Sequence, residues 1–176
     1  TLYRLGAELG ADVPFALHGG TAIGLGRGDA LTPVLSQGHF EWVLVSSGDG
    51  LSTPEVFRRL DQLRDEDSDL ASAVEAQPNV EPELLHALRN GDARALANHI
   101  RSDLQEPALR LMPRLADALD FGVANGALAG IVSGSGPTLA FLAEDDSVAL
   151  ALVEAFRGTK RNALRALAPV RGATVH

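Results

Sequence analysis

The chain has 176 residues, of which 45% are hydrophobic and 22% charged, as in an ordinary globular protein. Its formal net charge of −8 argues against nucleic acid or an anionic membrane surface as a partner, since both attract lysine and arginine. The sequence has no cysteine, which excludes disulfides, thiolate metal sites and cysteine nucleophiles. No apolar stretch approaches the roughly 20 residues that a membrane-spanning helix needs.

The N-terminal part is predicted to form a helix and then a β-hairpin. Leucines recur at helical spacing over residues 2–9, and Gly10 ends that helix. Residues 21–26 and 30–34 have the composition of two strands joined by a short turn. Because the sequence opens inside a helical pattern, we expect a further N-terminal portion to precede it.

The central part is predicted to contain a buried strand followed by a helix. Residues 41–47 (EWVLVSS) are typical of such a strand. Ser52 supplies a capping hydroxyl and Pro54 lies in the first turn, so a helix begins here. Its inward-facing residues are predicted to be Val56, Phe57, Leu60 and Leu63. Residues 64–69 (RDEDSD), which are mostly acidic, are predicted to form a mobile loop, and no element is assigned from there to residue 79.

The remaining sequence is predicted to form three helices, two strands, a helix and a last strand. In chain order these elements cover residues 82–89, 92–104, 107–125, 127–132, 138–143, 146–156 and part of 163–175. Helices gathered against one antiparallel sheet give an α+β architecture.

The segment LGADVPF (residues 9–15) is the first candidate for chemistry. Asp12 follows a helix that Gly10 ends, and Pro14 comes two residues later. In one interpretation Asp12 caps a short second helix whose first turn holds Pro14. In the other, its carboxylate is held between helices, where it can orient a hydroxyl or accept its proton. The two interpretations are compatible.

The segment VSGSGPT (residues 132–138) is the second candidate. A Gly-x-Gly step lets backbone approach a ligand closely, and its amides can form an anion-binding nest. A tight turn between two strands would use the same residues. No His-Asp pair is apparent near Ser133 or Ser135, so neither is interpreted as a nucleophile.

Other motifs are absent or weak. Residues 24–29 (GLGRGD) resemble a phosphate-binding loop but lack the GxGxxG spacing and the helix that should follow, which favours the hairpin. There is no Walker A, GxSxG or HExxH motif, and the five histidines do not have the spacing of metal ligands. No metal site is therefore predicted.

Taken in order, three segments resemble the GHMP kinase superfamily. Residues 130–142 (GIVSGSGPTLAFL) are similar to the third conserved motif of these kinases, and residues 50–57 (GLSTPEVF) to the strand-to-helix turn of their second domain. Residues 9–34, which contain ADVPF, are similar to one family within it, the 4-diphosphocytidyl-2-C-methyl-D-erythritol kinases.

The resemblance implies roles for five residues. Asp12 matches the catalytic aspartate of the family. Gly134, Ser135 and Gly136 match the third motif, beside the site of phosphate transfer. Thr53 lies in a matching segment and is a candidate for the substrate side.

The resemblance also implies a domain division and a reaction. Residues 1–36 would end the N-terminal nucleotide-binding domain, and residues 37–176 would form the C-terminal domain, an antiparallel sheet packed with helices. The γ-phosphoryl group of ATP, with Mg²⁺, would pass to the 2-hydroxyl of 4-diphosphocytidyl-2-C-methyl-D-erythritol in the non-mevalonate route to isoprenoid precursors. We expect a cytoplasmic transferase, monomeric or homodimeric, that binds these small molecules and neither nucleic acid nor membrane.

Parts of the family pattern are not found in the sequence. These are an N-terminal lysine that pairs with the aspartate, a Tyr-His pair for the cytidine, and the Gly-rich loop that wraps ATP. We expect them upstream of Thr1, so the numbered chain alone is expected to be inactive. The alternatives are another GHMP kinase, with a sugar, homoserine or mevalonate-type acceptor, and a non-catalytic α+β ligand-binding module.

Overall fold

A computed structural model of the chain describes residues 2–46, 48, 50–66 and 80–174. The elements of the first half are α1 (Leu2–Leu9), α2 (Val13–His18), β1 (Ala22–Leu25), β2 (Ala30–Pro33), β3 (Phe40–Ser46) and α3 (Thr53–Glu66). Those of the second half are α4 (Pro82–Asn90), α5 (Ala93–Ala97), α6 (Gln105–Leu111), α7 (Arg114–Ala124), β4 (Ala129–Val132), β5 (Leu139–Ala143), α8 (Asp146–Gly158) and β6 (Asn162–Ala168). None of these helices is long and apolar enough to span a membrane.

The strands form two antiparallel sheets. The predicted hairpin is present, with β1 paired to β2. The larger sheet has the order β4-β5-β3-β6, and each neighbouring pair in it is antiparallel. Helices packed on this sheet confirm the predicted α+β class.

The main core lies on one face of the larger sheet, where α7 and α8 pack on the strands and α3 packs on α6. Phe141 of β5 is fully buried at its centre, and its ring centroid lies 5.0 Å from that of Phe156 in α8. Other core side chains include Val43, Val45, Val56, Leu115, Leu139 and Leu152.

The opposite face of the sheet is covered only in part. Residues of β3 alternate between the faces, so Trp42 and Leu44 point away from the main core. At one end of this face, α4 and α5 pack Ala87 and Leu96 against Phe40. At the other end Leu44 lies beside its strand partner Ala140, and both line an open groove. The groove is therefore a consequence of where α4 and α5 stop.

Polar side chains fix the start of two helices. The carboxylate of Asp92 accepts the N–H of Ala95 at 2.9 Å and caps α5, as predicted. The carboxylate of Asp145 accepts the N–H of Val148 at 2.9 Å, and this bond holds the pKa of Asp145 below its usual value.

Two helical predictions are wrong in their bounds. The single helix expected from Pro107 to residue 125 is divided, because Pro113 interrupts it between α6 and α7. The helix capped by Asp92 ends at Ala97, so Leu104 lies outside it.

The helix after β3 also differs from the prediction. Val56, Leu60 and Leu63 are buried as expected, but Phe57 is 50% exposed because it lies off the stripe that these three define. The expected acidic loop is wrong at its start, since α3 extends to Glu66, whose Oε1 accepts from Arg59 Nη1 at 3.1 Å. The rest of that loop prediction, residues 67–69, lies outside the described residues.

Candidate functional site

An open groove with a volume of about 740 Å³ lies over the uncovered end of the sheet, and we call it the sheet groove. Its floor is made of small or apolar side chains from all four strands, among them Leu44, Ala140, Ile131 and Ala166. Its walls are Phe15 of α2, Arg101 and Ser102 after α5, and Ser133 and Gly134 after β4. The groove thus brings together the two segments that the sequence singled out for chemistry.

The SGSG loop (residues 133–136) is a tight turn that closes the β4–β5 hairpin. The N–H of Ser133 donates to the carbonyl of Thr138 at 2.9 Å, and the N–H of Gly136 donates to the carbonyl of Ser133 at 3.0 Å. Gly134 and Gly136 have φ values of +58° and +78°, in the left-handed region that glycine adopts readily. The turn interpretation is therefore correct.

The same loop keeps backbone donors available. The N–H groups of Gly134 and Ser135 donate to no carbonyl of the described residues. Successive unpaired amides in a turn form a concavity that suits an anion. The turn and the anion-nest interpretations are therefore compatible in this structure.

Thr53 lies beside the SGSG loop although the two are far apart in sequence. Its hydroxyl is 2.7 Å from the hydroxyl of Ser135, within hydrogen-bond distance. Thr53 is the first residue of α3, and the carbonyl of Ser52 accepts from Val56 at 3.0 Å in the first turn. The start of α3 is thus joined to the loop.

Asp12 precedes α2, in the capping position that the sequence predicted. Its backbone carbonyl accepts the N–H of Ala16 at 3.1 Å, but its side chain makes no capping hydrogen bond. The side chain is exposed, and Phe15, three residues later, lies in the wall of the sheet groove. The carboxylate is therefore close in sequence to the groove and is not used by its own helix.

The C-terminal tail holds α2 against the sheet, which sequence reasoning did not foresee. The N–H of Gly20 donates to the carbonyl of Val170 at 2.7 Å, and the N–H of Ala173 donates to the carbonyl of Ala16 at 3.0 Å. The tail passes so close that a Cβ on Gly19 would overlap the backbone of Gly172. Contacts made at the end of the chain therefore set the position of the helix that follows Asp12.

Arg101 is a groove residue that the sequence did not reveal. Its guanidinium pairs with Glu81, whose other carboxylate oxygen lies 2.5 Å from Nδ1 of His99. This ion pair places a cation at the wall of the groove. A single arginine between two short helices carries no motif, so only the folded structure could show it.

Comparison with known proteins identifies the fold. The sequence profile described as GHMP kinases C terminal matches residues 84–162. Residues 84–162 of the chain are thus similar to the C-terminal domain of the GHMP kinases. The resemblance that the motifs suggested is thereby confirmed, and the α+β architecture is that of this domain.

Relatives at higher identity agree with the narrower resemblance. A protein of Clavibacter michiganensis named 4-diphosphocytidyl-2-C-methyl-D-erythritol kinase is 52% identical over 99% of this chain. A crystal structure of 4-(cytidine 5'-diphospho)-2C-methyl-D-erythritol kinase superposes with a TM-score of 0.74 at 29% identity over 95% of this chain. The mevalonate kinase of L. major, at 16% identity, has a TM-score of 0.68 over 86% of this chain and therefore a similar fold.

The chain spans about half the length of the relatives that it matches. It covers 56% of the Clavibacter kinase and 56% of the kinase in the first crystal structure.

Proposed function

We propose that this chain is part of a longer protein, here called the complete enzyme, that transfers the γ-phosphoryl group of ATP to the 2-hydroxyl of 4-diphosphocytidyl-2-C-methyl-D-erythritol. Such a step belongs to the non-mevalonate route to isoprenoid precursors. The observation that carries the proposal is the sheet groove, which is lined both by Phe15, three residues after Asp12, and by Ser133 and Gly134 of the SGSG loop. The 52% identity to a kinase of that name supports the choice of acceptor.

In this proposal Asp12 acts on the acceptor hydroxyl. A carboxylate is a weak base toward an alcohol, so Asp12 orients the hydroxyl and accepts its proton late, as the new bond forms. Its exposed side chain, which makes no capping bond, is free to do so. An upstream lysine, implied by the family, would pair with Asp12 and help to neutralise the transferred group.

The SGSG loop is proposed to contact the transferred phosphate. Phosphoryl transfer depends mainly on positioning and on neutralising charge, which oriented amides can provide. The unpaired N–H groups of Gly134 and Ser135 suit that task, and the Ser135 hydroxyl is held by Thr53 at 2.7 Å. Gly136 gives the loop its left-handed turn. Thr53 would then act on the substrate side through this contact.

Mg²⁺ is proposed to be held mainly by the nucleotide. Among the described residues, no three His, Asp or Glu side chains are grouped so that they could hold a metal. Mg²⁺ in kinases is usually bound by one or two carboxylates together with the phosphates, and no metal ligand is proposed among the described residues. When bound with ATP, the ion would neutralise charge on the phosphates.

The proposal extends to domains and location. Residues 1–36, with α1, α2 and the small sheet, would complete an N-terminal nucleotide-binding domain, and residues 37–176 would form the C-terminal domain. The ATP-wrapping loop would come from the rest of the complete enzyme, so this chain alone is proposed to be inactive. We place the enzyme in the cytoplasm with small-molecule partners.

The acceptor is tested by assaying phosphoryl transfer from ATP in the complete enzyme. The panel is 4-diphosphocytidyl-2-C-methyl-D-erythritol, homoserine and mevalonate. We expect kcat/KM to be at least about 100-fold higher for the first, since a site built around specific polar groups discriminates by about 10²–10⁵. A preference for homoserine or mevalonate would make the protein a different GHMP kinase, and no transfer to any acceptor would favour a non-catalytic module.

A further inference from the structure

We propose that Gln105 is a positioning residue that fixes the SGSG loop through the backbone of Val132. Its side-chain oxygen Oε1 accepts the N–H of Val132 at 3.1 Å, and Val132 is the residue directly before the loop. The predicted effect on catalysis rests on the proposed function, whereas the predicted effect on the loop does not.

The hydrogen bond to Val132 satisfies a donor that the sheet leaves unpaired. β4 is at an edge of the larger sheet, with β5 on its other side. In the β4–β5 pair Ser133 donates to Thr138, so the N–H of the preceding residue, Val132, points outward. Gln105 supplies the acceptor there that a further strand would otherwise provide.

Val132 in turn contacts the far end of the loop. Its side chain is 1% exposed, and a Cβ added to Gly136 would lie 3.0 Å from Val132 Cγ1. The loop therefore packs directly on the residue that Gln105 holds. A shift of Val132 along the edge would move Gly136 and change the direction of the amides between them.

Gln105 is itself held firmly. It is the first residue of α6, and its own N–H donates to the carbonyl of Ser102 at 3.1 Å. Two residues further, Pro107 and Ala108 are buried and anchor the helix. Ser102 also lines the sheet groove. The segment 102–105 therefore forms part of the groove wall and, through Gln105, fixes the position of the SGSG loop.

The test compares three variants of the complete enzyme. Gln105→Met keeps the length of the side chain but removes the oxygen acceptor, and Gln105→Glu keeps an acceptor. Glu106→Gln is the matched control, because Glu106 pairs with Arg110 on the exposed side of the same helix at 2.7 Å. Steady-state kinetics and amide hydrogen exchange are measured for each.

We expect Gln105→Met to lower kcat by about 10- to 100-fold, as small misplacements at a catalytic site do. KM for the acceptor should stay within about two-fold, because the SGSG loop is proposed to contact the transferred phosphate and not the acceptor. Exchange of the Ser133 and Gly136 amides should become faster, whereas that of Val153 in α8 should not. Gln105→Glu should restore most of kcat and the protection, and Glu106→Gln should resemble wild type.

Two results would overturn the proposal. In the first, Gln105→Met keeps kcat within two-fold and leaves the exchange of Ser133 and Gly136 unchanged. In the second, every amide loses protection equally and Gln105→Glu restores nothing, so that Gln105 would contribute only to general stability. If the wild-type enzyme phosphorylated none of the acceptors, the proposed function would fail, and the exchange of Ser133 and Gly136 would still decide whether Gln105 positions the loop.

Discussion

Replacing Asp12 by alanine in the complete enzyme should lower kcat by about 10²- to 10⁴-fold, the usual contribution of a positioned acid or base. KM for the acceptor should change by no more than a few fold, because the interaction is made mainly in the transition state. The reason is structural: Asp12 lies three residues from Phe15 in the groove wall, and its side chain makes no hydrogen bond to α2. Steady-state kinetics with ATP in excess measure the effect.

Asp92 provides the matched control for Asp12. Both residues precede a short helix, but only the Asp92 side chain accepts a helix N–H, that of Ala95 at 2.9 Å. Asp92→Ala should therefore lower the free energy of unfolding by about 0.5–2 kcal/mol and leave kcat unchanged. Asp12→Ala should instead lower kcat and change the free energy of unfolding by no more than about 0.5 kcal/mol. If kcat of Asp12→Ala stayed within a few fold of wild type, Asp12 would have no catalytic role and would only mark the start of α2.

Replacing Phe141 by alanine should lower the free energy of unfolding by about 3–5 kcal/mol, the cost found for large aromatic residues in cores. Phe141 is 0% exposed and packs against Phe156 at a centroid distance of 5.0 Å. Such a loss is a large part of the about 5–15 kcal/mol that stabilises a typical domain. Equilibrium urea unfolding gives the value.

Two further variants test whether Phe141 stabilises the protein through its close packing in the core. Leu150→Ala, on the exposed side of α8, should change the free energy by about 0.5 kcal/mol or less. Gly122→Ala should be destabilising alone, because a Cβ there would come within 3.0 Å of the Phe141 ring. Its cost should largely disappear in the Phe141→Ala background, since the clash is then removed. Additive losses, or a loss below about 1 kcal/mol for Phe141→Ala, would contradict this description of the core.

Elements governed by local chemistry were predicted well from the sequence. Capping by Asp92, the stop at Gly91 and the β1–β2 hairpin depend on a few neighbouring residues. The SGSG turn belongs to the same class, because its glycines adopt the backbone angles that the turn requires. Motifs within short segments were also sufficient to indicate a resemblance to the GHMP kinases.

Features that depend on distant contacts were not predictable. Trp42 and Leu44 point away from the main core, yet whether they are covered depends on where α4 and α5 end. The Thr53–Ser135 contact joins residues 82 positions apart. Arg101 belongs to no motif. In each case tertiary packing decides, and periodicity alone carries no information about it.

The most direct test of the account is a crystal structure of the complete enzyme with the acceptor and a non-hydrolysable ATP analogue. The quantity to measure is the distance from the Asp12 carboxylate to the 2-hydroxyl oxygen of 4-diphosphocytidyl-2-C-methyl-D-erythritol. We predict about 2.6–3.2 Å, direct or through one water, with the terminal phosphate beside the amides of Gly134 and Ser135. An acceptor bound outside the sheet groove, with its hydroxyl beyond the reach of Asp12, would contradict the account.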